Sequence, residues 1–296
     1  MHSKDGVGPW AGVLAGALAI ALAGCAMHAG DSGGSSPSAT LSSREIADIV
    51  AAPDRSAADR TNDLRRKPEQ LLAFIGVRPG MAALDVSAAG GYTTELLARA
   101  IGPAGIVYGQ SRPVVPNAAA PAPSAAEGGT GAAAPPARLP PQRRGSPEQL
   151  AQRSNNLGVN HVAAAPIVAV VRPFEDPVPP ERADAGLDLV TLMFNYHDLG
   201  WMGVDRAQLN AAVFRALKPG GIYVIADHAG RPGTGISESG TLHRVEESFL
   251  RAEVEAAGFR LADEGRFLRN PNDPRDMNTP NPPQPKDEFV LKFVKP

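Results

Sequence analysis

Residues 82–97 read Ala82-Ala83-Leu84-Asp85-Val86-Ser87-Ala88-Ala89-Gly90-Gly91-Tyr92-Thr93-Thr94-Glu95-Leu96-Leu97. Leu84 and Val86 suit a short strand buried between layers. Ser87 to Gly91 is a run of small residues, so a ligand can approach the backbone closely there. Thr93, Thr94 and Glu95 suit the first turn of a helix, where unpaired N–H groups and the positive dipole end favour acceptors and anions. A strand, a small-residue turn and a helix in that order hold nucleotide-type ligands at the edge of a parallel sheet.

Strands and helices alternate on either side of this unit. Upstream, Ser42 with Glu45 fits a capping box for a helix that stops before Pro53. A polar helical stretch follows from Asp59 to Arg66, and Pro68-Glu69 opens a helix with Leu71, Leu72 and Ile75 on one face. Pro79-Gly80 then turns the chain into the first strand. Downstream, Tyr92 to Ala100 is a helix and Ile106-Val107-Tyr108 a second strand. Ser146-Pro147-Glu148-Gln149 is a second capping signature, for a helix to about Asn155, and Val162 to Val171 is a third strand. Leu187 to Phe194 is nearly all apolar, which marks the centre of a sheet. Asp205 with Gln208 caps a helix carrying Leu209, Val213 and Leu217, before a fifth strand, Ile222 to Ala226. Glu246 to Ala257 is a helix ended by Gly258, and a sixth strand starts at Phe259. A Pro/Asn-rich excursion over 270–286 precedes an alternating last strand, Glu288 to Val294.

Asp85-Val86-Ser87-Ala88-Ala89-Gly90-Gly91 resembles the first motif of class I S-adenosylmethionine-dependent methyltransferases, an acidic residue followed by glycines at alternate positions. Ser87 and Ala89 occupy two of those glycine positions, so any left-handed backbone there is strained. Leu217-Lys218-Pro219-Gly220-Gly221 resembles the turn before the family's fifth strand. From about residue 59 onward the chain is similar to a bacterial subgroup known as predicted methyltransferases. The resemblance implies a Rossmann-like α/β fold: a seven-stranded, mostly parallel sheet with helices on both faces and the last strand antiparallel. It implies S-adenosylmethionine as cofactor and methyl transfer to a small molecule. It implies cofactor contacts at Asp85, Ser87, Ala89, Gly91 and Tyr92. Gln110 stands where the family has an acidic residue for the ribose, Phe174 or Glu175 borders the adenine, and Asn195 faces the methionyl part.

The ends of the fourth and fifth strands carry Asn195, His197, Asp198, Asp227 and His228, and His243 returns to the same rim. Methyl transfer mainly requires alignment of the acceptor and exclusion of water. A base helps where the acceptor loses a proton, and histidine suits that near neutral pH. The catalytic candidates are His197, Asp198, His228 and His243, with His197 or His228 as base and Asp198 or Asp227 orienting it. For each histidine the alternative is a hydrogen-bonded loop anchor. The spacing of His197, Asp198, His228 and His243 matches no established metal motif, so no metal ligand set is expected. Two other functions stay open: a non-catalytic binding lipoprotein on a methyltransferase scaffold, and a metal-dependent hydrolase using these histidines.

The chain has 296 residues, 43% hydrophobic, with a net charge of −2, which gives no reason to expect a nucleic-acid partner. Its one cysteine, Cys25, ends a short apolar run from Val7 to Ala23. Leu22-Ala23-Gly24-Cys25 resembles the bacterial lipobox, after which the cysteine is acylated. The resemblance implies a signal peptide over 1–24, a membrane anchor through Cys25, and a place in the cell envelope facing the periplasm or exterior. The alternative is an uncleaved N-terminal anchor. Residues 25–41 read as a flexible tether and 42–296 as the methyltransferase-like domain. Within it, 112–145 has no aromatic residue and reads as a disordered insertion. With one cysteine, no intramolecular disulfide or multi-thiolate metal site is available. Replacing Cys25 by serine abolishes metabolic fatty-acid labelling; label persisting in the mutant refutes lipidation at this residue.

Overall fold

Three short helices lead into the sheet: α1 (Ser43–Ala51), α2 (Ala57–Arg66) and α3 (Pro68–Ile75). The capping box at α1 is complete: Glu45 N–H donates to Ser42 Oγ at 3.3 Å, and Ser42 N–H to Glu45 Oε2 at 2.8 Å. The computed structural model describes residues 39–113, 145–280 and 284–296, all in one unit, Pro37–Pro296. The signal peptide 1–24, most of the tether 25–41 and most of the insertion 112–145 lie outside the described residues.

The remaining elements alternate. They are β1 (Ala82–Val86), α4 (Tyr92–Ile101), β2 (Ile106–Ser111), α5 (Ser146–Val159), β3 (Ile167–Val171), β4 (Leu187–Met193), α6 (Tyr196–Trp201), α7 (Arg206–Ala216), β5 (Leu217–His228), α8 (Glu247–Ala256), β6 (Arg260–Gly265) and β7 (Glu288–Val294). The sheet order is β3-β2-β1-β4-β5-β7-β6. β1 to β5 pair in parallel, and β7 runs antiparallel between β5 and β6. This is the Rossmann-like seven-stranded sheet expected from the sequence. The order reverses between β1 and β4, and in such sheets the ligand crevice opens beyond the strand ends at that reversal.

Apolar side chains cover both faces of the sheet. On one, Leu84, Val190, Leu192, Ile225 and Phe293 meet Leu209, Val213, Leu250 and Val254 of α7 and α8. On the other, Ala83, Val107, Leu189 and Val224 meet Leu71, Leu72, Ile75, Leu96 and Leu97 of α3 and α4. Each fully buried aliphatic side chain contributes about 1.5–3 kcal/mol relative to exposure.

Several boundaries differ from the sequence reading. β3 starts at Ile167, not Val162, because Pro166 supplies no N–H and Ala165 N–H bonds instead to Ala98 O. β5 starts at Leu217 because its turn is held by Lys295: Gly220 N–H donates to Lys295 O, and Lys295 N–H to Gly221 O. α5 runs to Val159 and is capped at Gly145; Ser146 does not cap it, because its hydroxyl donates to Ala89 O at 2.7 Å. Residues 196–198, placed by the sequence at the end of the fourth strand, open α6. Among the described residues no helix is long and apolar enough to cross a membrane.

The excursion between β6 and β7 is anchored by Arg244, whose side chain is fully buried. Its guanidinium pairs with Asp273 at 2.9 Å and donates to Ala229 O and Met277 O. Asp273 in turn accepts from Asp287 N–H, and Asp287 pairs with Arg275 at 2.6 Å. Removing one member of such a buried pair strands the other charge. Arg244→Met therefore lowers unfolding free energy by about 3–5 kcal/mol. Arg251→Ala, which removes an exposed pair to Glu255, costs less than about 0.5 kcal/mol. Urea unfolding of both variants measures the contrast.

Candidate functional site

The turn after β1 holds three alternate residues in the left-handed region: Ser87 at φ +58°, Ala89 at +48° and Gly91 at +76°. The two non-glycine residues each carry a cost of about 1–2 kcal/mol. Gln110, fully buried at the end of β2, clasps this turn. Its Oε1 accepts from Ser87 N–H at 2.9 Å, its backbone carbonyl accepts from Ala88 N–H, and its Nε2 donates to Arg172 O. The start of α5 closes the turn from another side. Leu150 and Arg153 lie so close to Gly91 that a Cβ there would sit 2.7 Å from Leu150 Cδ2.

Several of the residues expected to contact the cofactor have partners within the protein. Gln110 has both amide atoms engaged and acts as a clasp. Asp85 is 2% exposed and accepts from Thr94 Oγ1 at 2.7 Å and Thr191 Oγ1 at 2.8 Å, so it locks β1 to α4 and β4. Burial pushes the Asp85 carboxyl up to about 6, against the two hydroxyls that favour its ionised form. Phe174 is buried in the core with Tyr108 and Val178, and Glu175 beside it stays half-buried at the surface. Tyr92 begins α4 and donates to Asp63 Oδ1 of α2 at 2.6 Å.

A hydrogen-bonded chain crosses the rim from β1 to β5. Ser87 Oγ donates to Asn195 Oδ1 at 2.7 Å, spanning the reversal point of the sheet. Asn195 Nδ2 donates to Asp198 Oδ2 at 2.9 Å. Asp198 Oδ1 then meets three nitrogens: His243 Nδ1 at 2.9 Å, Trp201 Nε1 at 3.0 Å and His197 Nε2 at 3.2 Å. On its other side His197 Nδ1 lies 2.5 Å from Asp227 Oδ1, and its backbone N–H donates to Asp227 Oδ2 at 2.8 Å. His228 stacks at 5.3 Å from His197 and 5.6 Å from Phe194, with Nδ1 3.0 Å from Glu288 Oε1. Arg65 of α2 reaches the same Glu288 oxygen at 2.6 Å and lies over the Phe194 ring.

The four histidine and aspartate candidates are thus brought together. Burial acts most strongly on His197 and works to lower its affinity for a proton. The carboxylates of Asp227 and Asp198 outweigh it and hold the ring up to about 10. Partial burial works to raise the Asp198 carboxyl, yet His197, Trp201 and His243 hold it well below the usual range. Both nitrogens of the His197 ring face carboxylates, Asp227 at Nδ1 and Asp198 at Nε2, and this favours its protonated form. His228 is 3% exposed and packed behind Phe194, whereas His243 and Asp198 keep part of their side chains at the surface. Ser87, Gly90 and Asn195 are half-buried and Ala89 is exposed, so the open part of the rim lies along these residues. Glu288, Arg65 and Phe194 were not singled out from the sequence; only the alternation of the last strand hinted at an outlying Glu288.

No protein-family model matches the sequence, and no curated protein matches it. Solved structures do match in fold. A SAM-dependent methyltransferase from Aquifex aeolicus is 16% identical, with 86% of this chain and 100% of that one covered, at a TM-score of 0.49. A TehB-like SAM-dependent methyltransferase from Corynebacterium glutamicum is 16% identical over 81% of this chain and 99% of that one, at 0.42. An arsenic(III) S-adenosylmethionine methyltransferase from Chlamydomonas reinhardtii is 14% identical over 73% of this chain and 64% of that one, at 0.46. Residue roles therefore rest on the geometry of this chain itself.

Ala89 is exposed and its left-handed backbone suits glycine. Ala89→Gly raises unfolding free energy by about 1 kcal/mol, although glycine in an ordinary backbone position loosens the unfolded chain. Chemical denaturation reads the change, and a lower midpoint would contradict the turn geometry.

Proposed function

We propose that this chain transfers a methyl group from S-adenosylmethionine to a small molecule. The observation that carries the reading is the strained turn: two residues with side chains keep left-handed backbone at positions 87 and 89, in step with Gly91. Strain of this kind persists where the surrounding structure enforces it, and it concentrates at ligand sites. Here it lies at the reversal point of the sheet, at the start of α4.

The donor set fits the cofactor at this turn. The half-buried Ser87, Gly90 and Asn195, with the exposed Ala89, would hold it. Bound S-adenosylmethionine supplies an electrophilic methyl group on a sulfonium. The chain's own work is to orient and to exclude water. Asn195 is pinned between Ser87 and Asp198, so its position is set before a ligand arrives. The half-exposed side of the His243–Asp198 pair is where the acceptor docks. His197, protonated and held by Asp227, fixes Asp198 in its ionised form. Gln110 offers no charge to a ribose, so affinity is expected in the micromolar range and not tighter. We further propose that acylated Cys25 places the domain at the cell envelope, a reading supported by Leu22-Ala23-Gly24-Cys25.

Isothermal titration of the full chain with S-adenosylmethionine tests the cofactor. Micromolar binding, weakened at least tenfold in Asn195→Ala with unchanged circular dichroism, is the expected result. No binding at millimolar cofactor overturns the reading and leaves a binding lipoprotein on this scaffold.

A further inference from the structure

We propose that His197, Asp198 and His243 form a site for one divalent transition-metal ion of the zinc class. The ligand atoms of these three residues lie within 4.8 Å of one another. His197 Nε2 and His243 Nδ1 both face Asp198 Oδ1, at 3.2 Å and 2.9 Å. Donors bound tetrahedrally to one zinc ion at about 2.0–2.2 Å stand roughly 3.3–3.6 Å apart, so each separation has less than about 1 Å to open for a shared ion. Two imidazoles and a carboxylate make a borderline-soft donor set that favours zinc and its neighbours over magnesium or calcium.

The outer support is also in place. A metal-bound imidazole commonly gives its second nitrogen to a carboxylate, which fixes the ring's direction. His197 does this through Nδ1 and Asp227, and Asp227 also holds the backbone N–H of the same residue. His243 stands nearly perpendicular to His197, ring centres 5.6 Å apart, and its backbone is at φ +50°. The side chains of Asp198 and His243 are each 19% exposed, which leaves a route for the ion and further coordination positions toward the rim. In the ion's absence the same atoms satisfy one another by hydrogen bonds, and metal entry displaces the ring protons that bridge to Asp198. The linear spacing hides this set: two ligands are adjacent and the third arrives from the segment before α8.

The inference goes beyond methyl transfer and is read without any cofactor. Metal-stripped full chain is titrated with zinc chloride by calorimetry, and cobalt(II) chloride is followed by visible absorption. One zinc per chain and a visible cobalt band from nitrogen–oxygen coordination are expected. His243→Gly removes a ligand, and its zinc affinity falls by about 100-fold or more with unchanged circular dichroism. Asp227→Asn weakens zinc by about 10–100-fold through the ring it supports. His161 is exposed, also left-handed at φ +54°, and outside the cluster. His161→Gly therefore keeps wild-type zinc affinity. No zinc binding by the wild type up to about 1 mM, well beyond the range of built zinc sites, overturns the site. Equal zinc affinity in His243→Gly and wild type does so too.

Discussion

The Asp227 carboxylate, without solvent contact, sets the geometry of the rim. It ends β5 and accepts the backbone N–H of His197, the ring of His197 and the backbone N–H of His228. A buried charge is tolerated only when hydrogen-bonded and paired, and these contacts supply both conditions. By holding the first turn of α6, Asp227 places His197, Asp198 and Asn195 in order along the strand ends. Six residues make a helix too short to persist alone, so α6 exists because β5 holds it.

A second constraint is backbone strain. Of the eight left-handed residues other than glycine among the described residues, four lie at the rim: Ser87, Ala89, Phe194 and His243. Tertiary contacts hold each of them: Gln110 clasps Ser87, Ala89 O accepts from Ser146 Oγ, Phe194 N–H bonds to Ala226 O, and Asp198 holds His243. The core is what makes this possible. With both sheet faces filled, the loops at one edge are fixed in conformations that a free chain would avoid.

Much of the architecture was legible in the sequence because its signals are local. The capping pairs Ser42–Glu45 and Asp205–Gln208, the apolar run of β4 and the alternation of β7 need only neighbours along the chain. Where the reading failed, a distant group had intervened. Ser146 looked like a cap until Ala89 O took its hydroxyl. Gln110 and Phe174 looked like ligand contacts, but Arg172 and the core engage them. The gathering of His197, Asp198 and His243 was legible only as a shared rim. Protonation of His197 depends on Asp227, thirty positions away, and Arg65 meets Glu288 across a separation of 223 residues. No local pattern encodes such pairs.

The clasp of Gln110 and the tether of Ser146 also bear on how this lineage can change. Ala88 N–H holds Gln110 O at 2.9 Å, and Ala89 O holds the Ser146 hydroxyl at 2.7 Å. The chain thus departs from and rejoins the domain at adjoining points on one turn. Closing a loop between such points costs only about 0.6 kcal/mol more for each doubling of its length. A change in the number of residues between Gln110 and Ser146 therefore costs the domain little stability.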